Sequence, residues 1–180
     1  MTGQRVLVAY GSLNGATAGI AEEIAAILEK DGLAAEVRSA ADVDDLSAYD
    51  AVVLGGGLYA GRWQHDARRF ARRLKAPLRE RPVWCFSSGP LDASATQKEI
   101  PPTRAVRRAI SRIEARGHTT FGGRLDPHPE GRLARSMAKR GMAHDWRDFD
   151  QIRAWAHTVA TDLRRQSRAP GDAGQAVDKR

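Results

Sequence analysis

The chain has 180 residues, of which 42% are hydrophobic, and this combination suits one domain with one core better than two. Its 29 Lys and Arg residues outnumber 22 Asp and Glu, and the formal net charge of +7 favours anionic partners. A single cysteine, Cys85, excludes a disulfide framework, and its apolar surroundings in the sequence predict a buried thiol. With no long apolar segment and no basic-then-apolar leader in the sequence, we expect a cytoplasmic protein.

A strand, a short polar loop and a helix follow one another without a spacer near the start of the chain. Residues 6–9 form an apolar run typical of a strand buried in a parallel sheet. From Thr17 onward, Ile20, Ile24 and Leu28 recur at helical spacing. The first N–H groups of a helix lack partners and lie at the positive end of its dipole, so the junction predicts phosphate binding without a cationic side chain.

The composition of this loop argues against ATP hydrolysis. A nucleotide triphosphatase loop requires a lysine that reaches the outer phosphates, and residues 11–17 contain neither Lys nor Arg. The loop instead offers hydroxyls at Ser12 and Thr17 and turn-forming glycines at Gly11 and Gly15. The alternative is a capped strand-to-helix turn that binds no ligand.

The alternation of strands and helices continues to the end of the ordered sequence. This pattern predicts a mostly parallel sheet with helices on both faces, within a single domain at 1–165. We expect Pro77 to close the second helix and residues 166–180 to form a disordered tail. The remaining predicted elements are strands at 34–39, 51–54, 82–87 and 118–125, an irregular or helical crossover at 43–49, and helices at 66–75, 104–116 and 149–165.

Ligands of such sheets lie beyond the carboxyl ends of the strands, which selects the loops at 11–17, 55–63 and 87–92. The second loop contains Tyr59 and Trp63, which can place an aromatic face against a planar ring. The formal dinucleotide fingerprint that begins at Gly55 is rejected because it does not directly open a helix. The alternative for this loop is a floppy hairpin-like turn with its aromatic side chains folded into the core.

The third loop, at 87–92, follows a buried strand directly. We expect its exposed N–H groups to bond the polar edge of a ring, while Pro90 and Leu91 supply an apolar surface. The five histidines are scattered without the spacing of metal ligands, so no metal site is predicted. Residues 130–148 are the candidate segment for substrate or partner contact over the site, with a packed surface insertion as the alternative.

The pattern Ser12-x-x-Gly15-x-Thr17 resembles the phosphate loop of flavodoxins, (S/T)-x-T-G-x-T, although Asn14 replaces the usual threonine. Nearly the whole chain resembles the flavodoxin-domain group that includes menaquinone-dependent protoporphyrinogen oxidase. The resemblance implies an α/β flavodoxin-like doubly wound domain, with five parallel strands in the order 2-1-3-4-5 and FMN as cofactor. The segments that carry it are YGSLNGATAGIAE, DAVVLGGGLYAGRW, FSSGPLD, GGRLDP and RDFDQIRAWA.

The three loops supply the FMN-binding residues that this resemblance implies, and no catalytic acid or base is assigned. The phosphate is expected to contact Ser12, Leu13, Asn14, Gly15, Ala16 and Thr17. The ring is expected to lie between two groups of residues, Gly57, Leu58, Tyr59, Ala60 and Gly61 on one side and Ser87, Ser88, Gly89, Pro90 and Leu91 on the other.

The resemblance implies an FMN-dependent oxidoreductase that takes electrons from a reduced small molecule or porphyrinogen and passes them to a quinone or a redox protein. The alternative is a non-enzymatic electron carrier. Electron-carrying flavodoxins are generally acidic, so the basic balance implies a different partner, such as an anionic membrane surface, an acidic protein or porphyrinogen propionates, or else solvated helix faces. No nucleic-acid reading motif is present. The clustered cations are Arg62, Arg68, Arg69, Arg72, Arg73, Lys75, Arg79 and Arg81, and then Arg104, Arg107, Arg108, Arg112 and Arg116.

Overall fold

Five parallel strands form the centre of the computed structural model, which describes residues 3–168. In space, the parallel strands follow the order β2-β1-β3-β5-β6, which confirms the predicted order of the five successive strands. The short β4 pairs with β3, and β7 pairs with β8 in a separate ribbon. The strands are β1 (Arg5–Gly11), β2 (Ala34–Ser39), β3 (Ala51–Tyr59), β4 (Arg62–Trp63), β5 (Val83–Ser88), β6 (Gly117–Phe121), β7 (Arg124–Leu125) and β8 (His144–Asp145).

Helices cover both faces of the sheet, as the strand and helix alternation predicts. They are α1 (Ala16–Lys30), α2 (His65–Arg73), α3 (Lys75–Arg79), α4 (Ser94–Gln97), α5 (Arg104–Arg112), α6 (Arg132–Met137) and α7 (Phe149–Arg168). Successive side chains of β1 point to opposite faces, so Val6 and Val8 join the core under α1 and α7, whereas Leu7 joins the core under α2 and α5. Among residues 3–168, no helix is both long and apolar enough to cross a membrane.

Two predicted elements are each divided in the structure. The helix predicted at 66–75 ends at Arg73, and Pro77 lies inside α3 rather than closing the helix, because a proline is tolerated in the first turn. The strand predicted at 118–125 ends at Phe121, and the chain turns away at Gly122, where a Cβ would overlap the carbonyl oxygen of Trp146. Residues 124–125 therefore belong to the ribbon.

Helix boundaries differ from the predictions at two further places. The helix predicted to reach residue 116 ends at Arg112, and Glu114 has a positive φ of 54° that a helix does not allow. Helix α7 continues through Arg168, so the first three residues of the predicted tail are helical. The crossover at 43–49 contains no helix and follows a 3₁₀ turn at Ala40–Asp42. The prediction of disorder for residues 169–180 lies outside the described residues.

Close packing explains the glycines in the second half of β3. A Cβ at Gly55 would overlap the ring of Phe86 on the neighbouring β5, and a Cβ at Gly56 would lie 2.5 Å from Cγ of Trp63. These glycines allow large aromatic side chains to lie against the backbone of the central strand. Their role in the fold is therefore packing on both faces of the sheet. The strand β4, and not a helix, follows β3, as expected from the rejection of the dinucleotide fingerprint.

Candidate cofactor-binding site

The three predicted loops converge at the carboxyl ends of β1, β3 and β5, which are neighbours in the sheet. The connection after β1 leads to β2 on one side of β1, whereas β3 lies on the other side of β1. The loops therefore surround a topological switch point. A Cβ at Gly57 would lie 3.1 Å from the Thr17 hydroxyl oxygen, and a Cβ at Gly89 would lie 2.5 Å from Cδ1 of Leu58. The loop after β1 therefore contacts the loop after β3, which in turn contacts the loop after β5.

The loop after β1 has the backbone geometry of an anion site. Gly15 precedes α1 with φ of 77°, a left-handed conformation that favours glycine, and its N–H donates to the Ser12 hydroxyl at 3.0 Å. The first helical bond runs from the Gly19 N–H to the Gly15 carbonyl at 3.1 Å. The preceding N–H groups of the first turn, including that of Thr17, are left for an anion.

A cationic side chain approaches this loop from a distant part of the sequence. The loop itself contains no Lys or Arg, so its sequence does not predict a cation here. Arg124 of β7 donates from Nη2 to the Asn14 carbonyl at 3.2 Å and lies 3.7 Å from Asp126. Its Nε is buried and has no protein partner among the described residues. Arg124 stands 110 residues from Asn14, and the sequence signal for it was the GGRLDP segment of the family resemblance.

Two further contacts hold the segment after β6 against the loop. The Asn14 side chain accepts the Glu130 N–H at 2.9 Å through Oδ1. Arg147 bonds Asp145 in a bidentate manner at 2.9 and 2.7 Å and lies 3.4 Å from the Ala16 carbonyl. These Arg147 bonds lower the pKa of Asp145. Part of the predicted contact segment at 130–148 therefore touches the phosphate loop.

The second loop is a tight hairpin. Leu58 pairs with Trp63 and Tyr59 pairs with Arg62. The turn residues Ala60 and Gly61 have φ of 48° and 72°, the positive values of a type I′ turn. This local structure matches the hairpin of the alternative, but the turn is fixed rather than floppy, because the Thr103 hydroxyl donates to the Gly61 carbonyl at 2.7 Å.

The hairpin separates its two aromatic residues. Trp63 is only 2% exposed and its Nε1 donates to the Ser87 hydroxyl at 2.8 Å, so the prediction that Trp63 faces a ligand is wrong. Tyr59 is 39% exposed, and its ring carbon Cε2 lies 3.1 Å from the Cβ position of Gly57. Burial raises the pKa of the Tyr59 hydroxyl, and hydrogen bonding with Leu13 partly offsets this rise. Tyr59 is therefore the aromatic residue of this loop that faces the site.

The third loop offers fewer free backbone donors than predicted. Ser87 is 1% exposed, and its hydroxyl also bonds Nε2 of His118 at 2.8 Å, so this side chain belongs to the core. The Gly89 N–H is occupied by the Phe121 carbonyl at 3.1 Å, and Pro90 has no N–H. The prediction of exposed N–H groups is thus wrong at Gly89, because β6 extends alongside it.

Trp63, Ser87 and His118 form a buried chain of hydrogen bonds. The Ser87 hydroxyl accepts from the indole and bonds the imidazole, while Nδ1 of His118 has no partner among the described residues. This burial lowers the pKa of His118 to about 4, so the ring is neutral near pH 7. This chain of hydrogen bonds connects the hairpin to β5 and β6 and so fixes the position of the hairpin.

The residues at the switch point fit a flavin mononucleotide. A phosphate dianion suits the hydroxyl-rich loop with its first-turn N–H groups and the adjacent Arg124 guanidinium. A planar ring suits the half-buried side chains of Leu58, Pro90 and Leu91 together with the exposed Tyr59. No cluster of three potential metal ligands occurs within the stretch from residue 3 to residue 168. Fold and site together define a flavodoxin-like protein.

The family model for the flavodoxin domain matches residues 7–151, and the chain belongs to this family. Among solved structures, an archaeal flavodoxin is 13% identical, with a TM-score of 0.57 and coverage of 89% of this chain and 99% of that one. A flavodoxin from Pseudomonas aeruginosa is 15% identical with a TM-score of 0.59, at 89% and 99% coverage. These similarities show the fold, and membership of the family indicates FMN as the cofactor and a redox function.

A longer protein also contains this fold. Rubredoxin:oxygen oxidoreductase from Desulfovibrio gigas is 12% identical with a TM-score of 0.63 over 93% of this chain. The present chain spans only 38% of the length of that protein. No curated protein sequence matches the chain significantly.

Proposed function

We propose that this protein is an FMN-dependent oxidoreductase that oxidises a reduced small molecule, with a porphyrinogen as donor and a quinone as acceptor. The convergence of the phosphate loop with Tyr59 and the loop after β5 supports the redox site. The formal net charge of +7 supports a donor that carries carboxylates, because a basic surface raises the local concentration of anions.

The chain's own residues bind and orient the cofactor in this proposal. Ser12 closes the loop through Gly15, and Thr17 presents its hydroxyl from the first turn of α1, so both are available to hold the phosphate. Leu58, Tyr59 and Leu91 flank the ring and exclude water from part of its surface. Bound FMN supplies reversible two-electron chemistry, and the protein supplies position, electrostatics and access.

A carrier of electrons between proteins is the second candidate, and similarity to flavodoxins over nearly their full length supports it. This chain matches the archaeal and Pseudomonas aeruginosa flavodoxins over 99% of their length. The segment from Gly122 to Asp148, which includes the ribbon, touches the phosphate loop in addition to the contact from β3 at Gly57.

Calorimetry with FMN and riboflavin tests the cofactor site. FMN should bind at least about 100-fold more tightly, because riboflavin lacks the phosphate and each charge-assisted hydrogen bond contributes about 1.5–3 kcal/mol. Equal affinities would show that the loop after β1 does not hold the phosphate. Riboflavin therefore serves as the matched control for the ring contacts alone.

Turnover separates the enzyme from the carrier. The FMN-loaded protein should reduce a soluble quinone when protoporphyrinogen is supplied, at a rate that saturates with porphyrinogen. A carrier would be reduced only by redox proteins and would leave the porphyrinogen unchanged above the uncatalysed rate. That second result, with FMN bound, would overturn the oxidase proposal and leave the cofactor site intact.

A further inference from the structure

A cationic groove lies between α2 and α5, on the side of β4 that faces these helices. Its volume is about 500 Å³, which lies within the range typical of small-molecule sites. The side chains of Trp63, Ala71, Val106 and Ala109 supply its apolar lining. No Asp or Glu lines the groove. The cations that line it are Arg62, Arg68, Arg72, Lys75, Arg108 and Arg112.

Helical spacing arranges most of these cations in two rows. Arg68, Arg72 and Lys75 follow each other at intervals of four and three residues, so they share one face of α2 and the start of α3. Arg108 and Arg112 are four residues apart on α5 and share the face that also presents Ala109 to the groove. An apolar strip therefore separates a row of cations on each helix.

The six groove cations lack internal counter-charges. Within residues 3–168, no ion pair and no side-chain hydrogen bond involves any of them. Neighbouring arginines outside the groove do have partners: Arg73 pairs with Asp44 and Arg79 pairs with Glu114. Like charges at helical spacing repel each other. A ligand that brings negative charge into the groove would relieve this repulsion.

We propose that this groove binds a small amphipathic anion, with an apolar body and at least two carboxylate or phosphate groups. The body would lie along Ala71, Val106 and Ala109, and the anionic groups would reach arginines on opposite rows. The guanidinium fork matches both carboxylate and phosphate, so the two sources share one recognition chemistry. The inference rests on the groove alone and does not depend on the redox function.

The test uses the full chain with two probes, decanedioate and tripolyphosphate, measured by calorimetry at one fixed salt concentration. Decanedioate should bind with a stoichiometry of one, and the double variant Arg72→Gln/Arg108→Gln should weaken binding by roughly tenfold or more. Arg69→Gln/Arg107→Gln is the matched control. It removes two exposed arginines from the same helices outside the groove, and it should change the dissociation constant by less than about twofold.

Variant-sensitive binding of decanedioate supports the proposal. Variant-sensitive binding of tripolyphosphate alone would overturn it, because that probe has no apolar body. Equal weakening in both double variants would overturn it, because the attraction would then come from diffuse surface charge. The absence of saturable binding for both probes would also overturn the proposal. Variant-sensitive binding that occurs only with phosphatidylglycerol vesicles would overturn it as well. A second pair, Arg68→Gln/Arg112→Gln, repeats the test if the first variant folds poorly, which far-UV circular dichroism and FMN affinity would reveal.

Discussion

Asn14 connects the phosphate loop to the Glu130 backbone 116 residues later in the chain. The same loop residue gives its carbonyl to Arg124, so one residue position receives two contacts from the excursion after β6. The asparagine that departs from the family pattern thus has a hydrogen-bond partner, the Glu130 N–H, in this structure. The loop is held from outside as well as by its own Ser12–Gly15 hydrogen bond.

Thr17→Val should weaken FMN binding by roughly 10- to 100-fold, because a hydrogen bond to a charged group contributes about 1.5–3 kcal/mol. Thr17 is 2% exposed, and valine has nearly the same shape, so the fold should remain. Calorimetry measures the dissociation constant. Thr17→Ser keeps the hydroxyl and should bind within a few-fold of the native protein. An unchanged affinity for the valine variant would place the phosphate elsewhere.

At the scale of an element, the hairpin formed by β3 and β4 decides which side chains face the site. Its backbone turns at Ala60 and Gly61, both with positive φ. The pairing of Leu58 with Trp63 and of Tyr59 with Arg62 follows from that turn. The indole therefore enters the core, while the phenol faces the phosphate loop.

Gly61→Ala should lower the free energy of unfolding by about 1–2 kcal/mol, because an L side chain in the left-handed region carries that cost. A Cβ at Gly61 would meet nothing within 4 Å, so the loss should come from the backbone alone. Chemical denaturation measures it. Gly61→Asn should lose less, since asparagine tolerates this conformation better. Equal losses for the two variants would indicate a steric cause.

The elements that sequence patterns located well are those with local signals. The apolar run of β1, the helical spacing of α1 and the glycine before it lie within a few residues of one another, and their strand, loop and helix are confirmed. The register of the hairpin could not be predicted from such local signals. A shift of the strand pairing by one residue moves each side chain to the other face of the strand. Arg124 could not be placed, because its contact with Asn14 depends on the whole path of the chain.

At the scale of the whole molecule, two cores lie on opposite faces of one sheet, and the buried hydrogen-bond chain Trp63–Ser87–His118 joins β4 to β5 and β6. Its imidazole is buried without an acidic partner. Unfolding exposes this ring to water, and a histidine in water has a pKa near 6.5. The protonation of one residue is therefore linked to the stability of the whole sheet.

The free energy of unfolding should fall as pH falls from about 6.5 to about 4, because the unfolded chain binds a proton at His118 that the folded protein binds only near pH 4. The full shift corresponds to about 3 kcal/mol, and partial solvent exposure of the ring reduces the expected loss to about 1–2 kcal/mol. Above pH 6.5 this contribution is fully present. Urea denaturation at several pH values measures it.

His118→Asn is the control for this linkage. The variant should be less stable at pH 7 because it loses the Ser87 contact, but its stability should change less between pH 6.5 and 4. Carboxylates such as Asp145 act mainly at lower pH, since their pKa values lie below 3.8. Parallel pH profiles for the two proteins would assign the acid sensitivity to other groups.

The contact between Gly55 and Phe86 limits how the sequence can change over evolutionary time. Any side chain at position 55 would occupy the space of the aromatic ring on the neighbouring strand. Substitution at one of these positions is tolerable only after the other has become smaller, so the two positions should covary among homologues. The first glycine of a run that resembles a nucleotide fingerprint is thus held by one packing partner, and a smaller residue in place of Phe86 would make room for a side chain at position 55.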